Sequence, residues 1–97
     1  MTETAPANIL HLDGPVIMNN VTGIRRQGLD RIGRGDTVVD LAAVTEVDSS
    51  AVSLLLEWLR AARQSGRTVC FIHLPENLTS LARLYGVLEL LPPVVEN

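Results

Sequence analysis

The sequence predicts an α/β fold: a small sandwich with a mixed, mostly parallel sheet of about four strands and about three packed helices. Three observations predict it. Two short β-rich runs, TVVDL at 37–41 and TVCFIHL at 68–74, are apolar enough to be covered by other elements. Between them the apolar residues recur at three- and four-residue steps, the period of a helix. Strand–helix alternation of this kind implies parallel pairing through right-handed crossovers, with helices on one face of the sheet or both.

The elements follow in order. Residues 1–7 are expected to be a flexible tail, and residues 8–97 a single domain. Residues 8–12 read as a short strand ending at the turn signal Asp13-Gly14-Pro15. Asn19 or Asn20 can cap a helix that continues through about Ile32, with Val21, Ile24, Leu29 and Ile32 inward. Gly23 and Gly28 weaken that helix by about 1 kcal/mol each relative to alanine. Gly33-Arg34-Gly35 closes it and leads into the strand at 37–41.

In the connection AAVTEVDSS, Val44 and Val47 are apolar anchors, and Asp48, Ser49 and Ser50 are all good N-cap residues. The next helix carries a stripe of Val52, Leu55, Leu56, Leu59 and Ala62, widened by Leu54 and Trp58. Ser53, Glu57, Arg60 and Gln64 fall on its opposite side. Ser65-Gly66-Arg67 stops it, and the strand at 68–74 ends at Pro75. A third helix starts at Glu76-Asn77, with Leu78, Leu81, Ala82 and Tyr85 on one face, and stops at Gly86. The final VLELLPPVVEN packs back as an extended segment or a short turn.

Composition bounds the chemistry. Ninety-seven residues with 46% hydrophobic content form one domain that can bury a core without disulfides or metal. The formal net charge of −3 lacks the basic excess of a nucleic-acid binder. Cys70, the single cysteine, reads as a reduced, buried structural thiol. MTETAPAN has neither the basic nor the apolar region of a signal peptide, and no apolar run nears the roughly 20 residues that span a bilayer. The expectation is a cytoplasmic protein without direct membrane insertion.

Few residues carry reactive chemistry. A GxxxxGK[ST] loop needs a lysine, and the sequence has none; GxGxxG is absent too. No histidine or cysteine pair has metal-ligand spacing. His11 and His73 read as separate, satisfied strand histidines. Ser49 and Ser50 lack the GxSxG elbow of a serine hydrolase. These readings predict neither an enzyme nor a cofactor site. The polar cluster of interest is Asp48-Ser49-Ser50. Its simple reading is a helix cap; its functional reading is a hydroxyl exposed for partner contact or phosphorylation. Trp58 reads as core packing or, alternatively, as a partner anchor.

VVDLAAVTEVDSSAVSLLLEWLRAARQSGRTVCFIHL resembles the central block of the STAS domains, the sulfate transporter and anti-sigma factor antagonist family. That block runs from a strand ending in Asp-Leu, through a hydrophobic-Asp-Ser/Thr turn and an apolar helix, to a Gly turn and a further strand. LARLYGVLELLP at 81–92 is similar to the C-terminal segment of one subgroup, the small STAS subunit of the Mla-type phospholipid ABC transporter of Gram-negative bacteria. The resemblance spans about residues 8–92. Two departures stand out. Ala51 occupies a position where the family commonly has glycine, and only residues 8–12 read as an early strand where STAS domains often have two.

The resemblance implies a STAS-like domain that binds and supports the transporter's cytoplasmic ATPase, with the permease in the larger complex. The protein would then lie peripheral to the inner membrane through that partner. It implies Ser49 as the contact or phosphorylation position. Asp48, Ser50 and the exposed helix side, Ser53, Glu57 and Arg60, would complete the ATPase contact. The alternative it implies is an anti-sigma antagonist-type switch controlled by phosphate on Ser49.

Overall fold

The computed structural model describes residues 8–91. The elements run β1 (Ile9–Val16), α1 (Val21–Arg34), β2 (Thr37–Val47), α2 (Ser49–Gln64), β3 (Val69–Ile72) and α3 (Glu76–Leu84), followed by a short 3-10 turn, Leu88–Leu90. The expected tail at 1–7 and the end of the C-terminal segment lie outside the described residues. The α/β class and the three helices agree with the sequence reading. Among the described residues the sheet has three strands, not about four, in the order β1-β2-β3, and both pairings are parallel.

Alternation along the strands separates two faces. Leu10 and Leu12, Val39 and Leu41, and Val69 and Phe71 are buried, while His11, Asp40 and Cys70 between them are half-buried or exposed. The helices therefore supply one apolar layer against one sheet face, and a single core joins both layers. Cys70 is a free cysteine that is only half-buried, because its register position turns it from that core.

Three strand ends differ from the sequence reading. β1 continues through Asp13-Gly14-Pro15 because β2 supplies a partner as far as Val16↔Val47. The ladder absorbs the turn-prone residues as two irregularities, between His11 and Asp13 and between Gly14 and Pro15. Pro15 is tolerated since β1 is an edge strand. The same pairing draws β2 out to Val47. β3, in contrast, stops at Ile72, because His73 adopts a left-handed backbone, φ 59°.

The anchors Val44 and Val47 behave as expected, Val44 buried and Val47 packed against the core. In α2 the residues Val52, Leu54, Leu55, Trp58 and Ala62 are buried, with Leu56 and Leu59 packed beside them. Trp58 has no exposed surface, which makes it core and excludes the partner-anchor reading. Tyr85 leaves the expected inner face of α3: the helix ends at Leu84, Gly86 turns the chain at φ 73°, and the ring is 52% exposed.

Helix α1 meets α2 at Gly28. A Cβ there would lie 2.0 Å from Trp58 Cε2 and 2.4 Å from Nε1. This glycine, a weakness by propensity, is what lets the indole approach the backbone of α1 so closely. The indole Nε1–H donates to the Arg25 carbonyl at 3.2 Å, so the buried polar atom is satisfied.

Gly28→Ala is expected to cost about 1–3 kcal/mol in urea unfolding, since the tryptophan must shift. Gly23→Ala, in the same helix with nothing within 4 Å of the new Cβ, is expected to gain up to about 1 kcal/mol. Equal responses at the two sites would contradict the packing role assigned to Gly28.

Candidate functional site

The site forms where the C-terminal ends of β1 and β2 meet the first turns of α1 and α2. Asp48 is its junction. Of the three candidate caps it is the one used: its backbone is extended at the N-cap of α2, and Oδ1 accepts the Ser50 N–H at 2.9 Å. The same oxygen accepts the Ser50 hydroxyl. Oδ2 accepts the Met18 N–H at 3.0 Å, tying the β1–α1 loop to the start of α2. The Ser50 hydroxyl, followed by the Met18 and Ser50 amides, holds the Asp48 carboxyl below its ordinary range.

The loop is also braced from within. Asn20 stands at the N-cap position of α1 but makes no cap bond to that helix. Its side chain turns back instead, accepting the Ile17 N–H at 2.9 Å and donating to the Pro15 carbonyl at 2.8 Å. Met18 is thus presented on a fixed backbone.

An open groove of about 280 Å³ lies between the two helices. Met18, Val21 and Arg25 line one side; Ser49, Ser50, Ser53, Leu54 and Glu57 line the other. Arg25 Nε pairs with Glu57 Oε2 at 2.5 Å across it. Ser50 has its hydroxyl committed to Asp48, whereas Ser49 is exposed and takes no part in that network.

Of the six residues expected from the sequence, Ser49, Ser50, Ser53 and Glu57 come together in this groove, and Asp48 braces it. Arg60 does not join them. It borders a separate depression of about 220 Å³ with Leu56, Leu59, Arg63 and Leu90. The residues missed are Met18, Val21 and Arg25. Their only sequence signal is an apolar residue beside two asparagines and an arginine one turn into a helix; no local pattern places them opposite Ser49.

A second cluster lies on the sheet face away from the helices. His11 on β1 and His73 just after β3 both reach Asp40 on β2: the Nδ1 of His11 is 3.3 Å from Oδ2, and the Nδ1 of His73 is 3.0 Å from Oδ1. The Ala42 N–H also donates to Oδ1, at 3.0 Å. The histidines expected to stand apart therefore share one carboxylate, because adjacent parallel strands align His11 with Asp40 and Asp40 with Ile72. The His73 hydrogen bond, then that of Ala42, holds the Asp40 carboxyl below its ordinary range. Among the described residues, no group of three or more His, Cys, Asp or Glu is arranged to hold a metal ion.

The comparisons with known proteins bear on the family and the fold. The family described as "Mlab, STAS domain" matches residues 1–92. The chain belongs to this STAS family. A search of curated proteins finds no match. Among solved structures, the STAS domain described here is similar to the anti-sigma factor antagonist SpoIIAA in its unphosphorylated form. The TM-score is 0.72 at 16% identity, over 97% of this chain and 86% of that one. It is also similar to part of the crystal structure of Mglu, with a TM-score of 0.60 at 27% identity, over 72% of this chain and 18% of that one. At 16% identity the likeness to SpoIIAA establishes a shared fold. No helix among the described residues of the STAS domain is long and apolar enough to cross a membrane.

The lowered folded-state value of Asp40 fixes the sign of a pH effect. Between the folded and unfolded values the unfolded chain binds more protons, so stability rises with pH there. The contribution is present above the ordinary carboxyl value of about 4 and is lost as pH falls through the lower folded value. Asp40→Asn is expected to make thermal unfolding less sensitive to pH between about 5 and 3 than in the wild type. An unchanged slope would contradict the role given to this carboxylate. Asp48 acts in the same direction, so part of the slope persists.

Proposed function

We propose that this STAS domain is a non-enzymatic accessory subunit that binds and supports the ATPase of an ABC transporter moving phospholipid between inner and outer membranes, and so maintains outer-membrane lipid asymmetry. The observation that carries the reading is the exposed Ser49 at the mouth of a braced groove, within a chain matched by the Mlab family over residues 1–92. Asp48, Ser50 and Glu57 are held by neighbours within the chain, which leaves a preorganised surface that needs little ordering on binding. Ser49 and Ser53 supply hydroxyls at its edge. Arg60, one turn beyond Glu57, would contact the partner outside the groove. ATP hydrolysis belongs to the partner, and the domain reaches the cytoplasmic face of the inner membrane through it, with the permease in the same complex.

A second reading has one observation in its favour. Ser49 is an exposed hydroxyl directly after an aspartate at a helix start, where the helix dipole favours an added phosphate. On this reading the domain is an anti-sigma antagonist-type switch, toggled by phosphorylation of Ser49.

The test is affinity purification of the tagged protein from detergent-solubilised cells, followed by binding of the purified ATPase to wild type and Ser49→Glu. The transporter reading expects the ATPase and permease to co-purify. It also expects Ser49→Glu to weaken ATPase binding about tenfold or more, with the unfolding midpoint unchanged. Recovery of a serine kinase or anti-sigma factor without the ATPase would overturn it in favour of the switch.

A further inference from the structure

Four large apolar side chains are strongly exposed among the described residues: Met18, Leu84, Tyr85 and Leu90. The last three belong to the end of α3 and the turn after it. Met18 alone borders the Ser49 groove, and it is 71% exposed. Its position is built rather than accidental. The Met18 N–H is held by Asp48, and Asn20 ties Ile17 and Pro15 on the other side of it. An exposed apolar side chain on a fixed backbone loses little freedom when something packs on it, and a thioether chain adapts readily to the shape it meets.

The charges of the groove decide what can pack there. Its lining holds one cation, Arg25, and one anion, Glu57, and these are paired with each other. The adjacent Asp48 carboxylate is already satisfied by one hydroxyl and two amides. The groove lining itself is therefore neutral, and the nearest net charge is the Asp48 carboxylate, whose oxygens are already filled. An occupant meets Met18, Val21 and Leu54, with the Ser49 and Ser53 hydroxyls at the edge. An anionic side chain inserted here would face Asp48 without a counter-ion, and a cationic one could pair with that carboxylate only by displacing the hydrogen bonds that fill it, whereas an uncharged apolar one would gain by burial.

Building on the transporter reading above, we infer that the groove receives an uncharged apolar side chain of the ATPase, and that Met18 is the residue closing over it. Docking is then driven by apolar contact at Met18, with Ser49 marking the edge where added charge is not tolerated. Arg25 and Glu57 act as positioning residues that keep the groove neutral.

The experiment measures binding of the purified ATPase to the full chain and to Met18→Leu, Met18→Asp, Met18→Lys and Ser49→Glu. Met18→Leu is expected to bind within about threefold of wild type, and both Met18→Asp and Met18→Lys to bind about tenfold or more weakly. Exposure of the side chain means that all three Met18 variants keep the wild-type unfolding midpoint. Wild-type affinity is expected to change less than about threefold between low and high salt, because the charges of the lining are paired with each other and the contact itself is apolar. If Met18→Asp and Met18→Lys bind like wild type while Ser49→Glu is weakened, the Met18 inference is overturned and the transporter reading stands. If opposite charges at position 18 shift affinity in opposite directions, the contact is electrostatic and the inference is wrong. If the wild-type chain does not bind the ATPase at all, the transporter reading fails and takes this inference with it.

Discussion

The close approach of Trp58 to the backbone at Gly28 is the contact on which the helical layer depends. No other residue fits at position 28 without moving the indole. The consequences extend beyond the core. With the indole N–H on the Arg25 carbonyl, the register of α1 against α2 is set at one point. The Arg25 side chain then reaches Glu57, the neighbour of Trp58, and closes one end of the groove. A packing constraint in the interior thus fixes the spacing of two helix surfaces that face solvent. Helix propensity alone would favour alanine at Gly28; tertiary packing overrides it.

Asp48 plays the corresponding part at the other end of the groove. A single carboxylate caps α2, takes the Ser50 hydroxyl and holds the loop that carries Met18. Elements far apart in sequence therefore share one anchor. This arrangement separates the two serines by role: Ser50 is structural and Ser49 is displayed. It also explains why the site is preorganised, since loop, helix start and inter-helix ion pair are all held by contacts within the chain. The two serines are chemically alike, and only the geometry of the cap tells them apart.

Most of the architecture could be read from local patterns. The apolar stripe of α2 and the inward residues of α1 have the helical period and pack as that period requires. The cap at Asp48 and the glycine stops are short-range chemistry. What escaped the sequence reading depends on partners far along the chain. Asp13-Gly14-Pro15 is a turn signal by composition, but a long neighbouring strand turns it into irregular sheet. His11 and His73 look unrelated until three parallel strands bring both to Asp40. Met18, Val21 and Arg25 were invisible as site residues for the same reason: the Trp58 contact, and not any motif, brings α1 beside Ser49. Tyr85 failed because a helix stop one residue earlier than the apolar pattern suggests turns the ring outward.

On the proposed function, the braced surface around Ser49 is where this STAS domain meets a transporter ATPase. Amide hydrogen exchange, followed by mass spectrometry with and without that ATPase, tests it most directly. Added protection is expected in the peptides covering the β1–α1 loop, the first turns of α1 and the first half of α2. Peptides covering β3 and the His11–Asp40–His73 face should exchange as in the free protein. Protection concentrated on that opposite sheet face, with none near Ser49, would contradict the account.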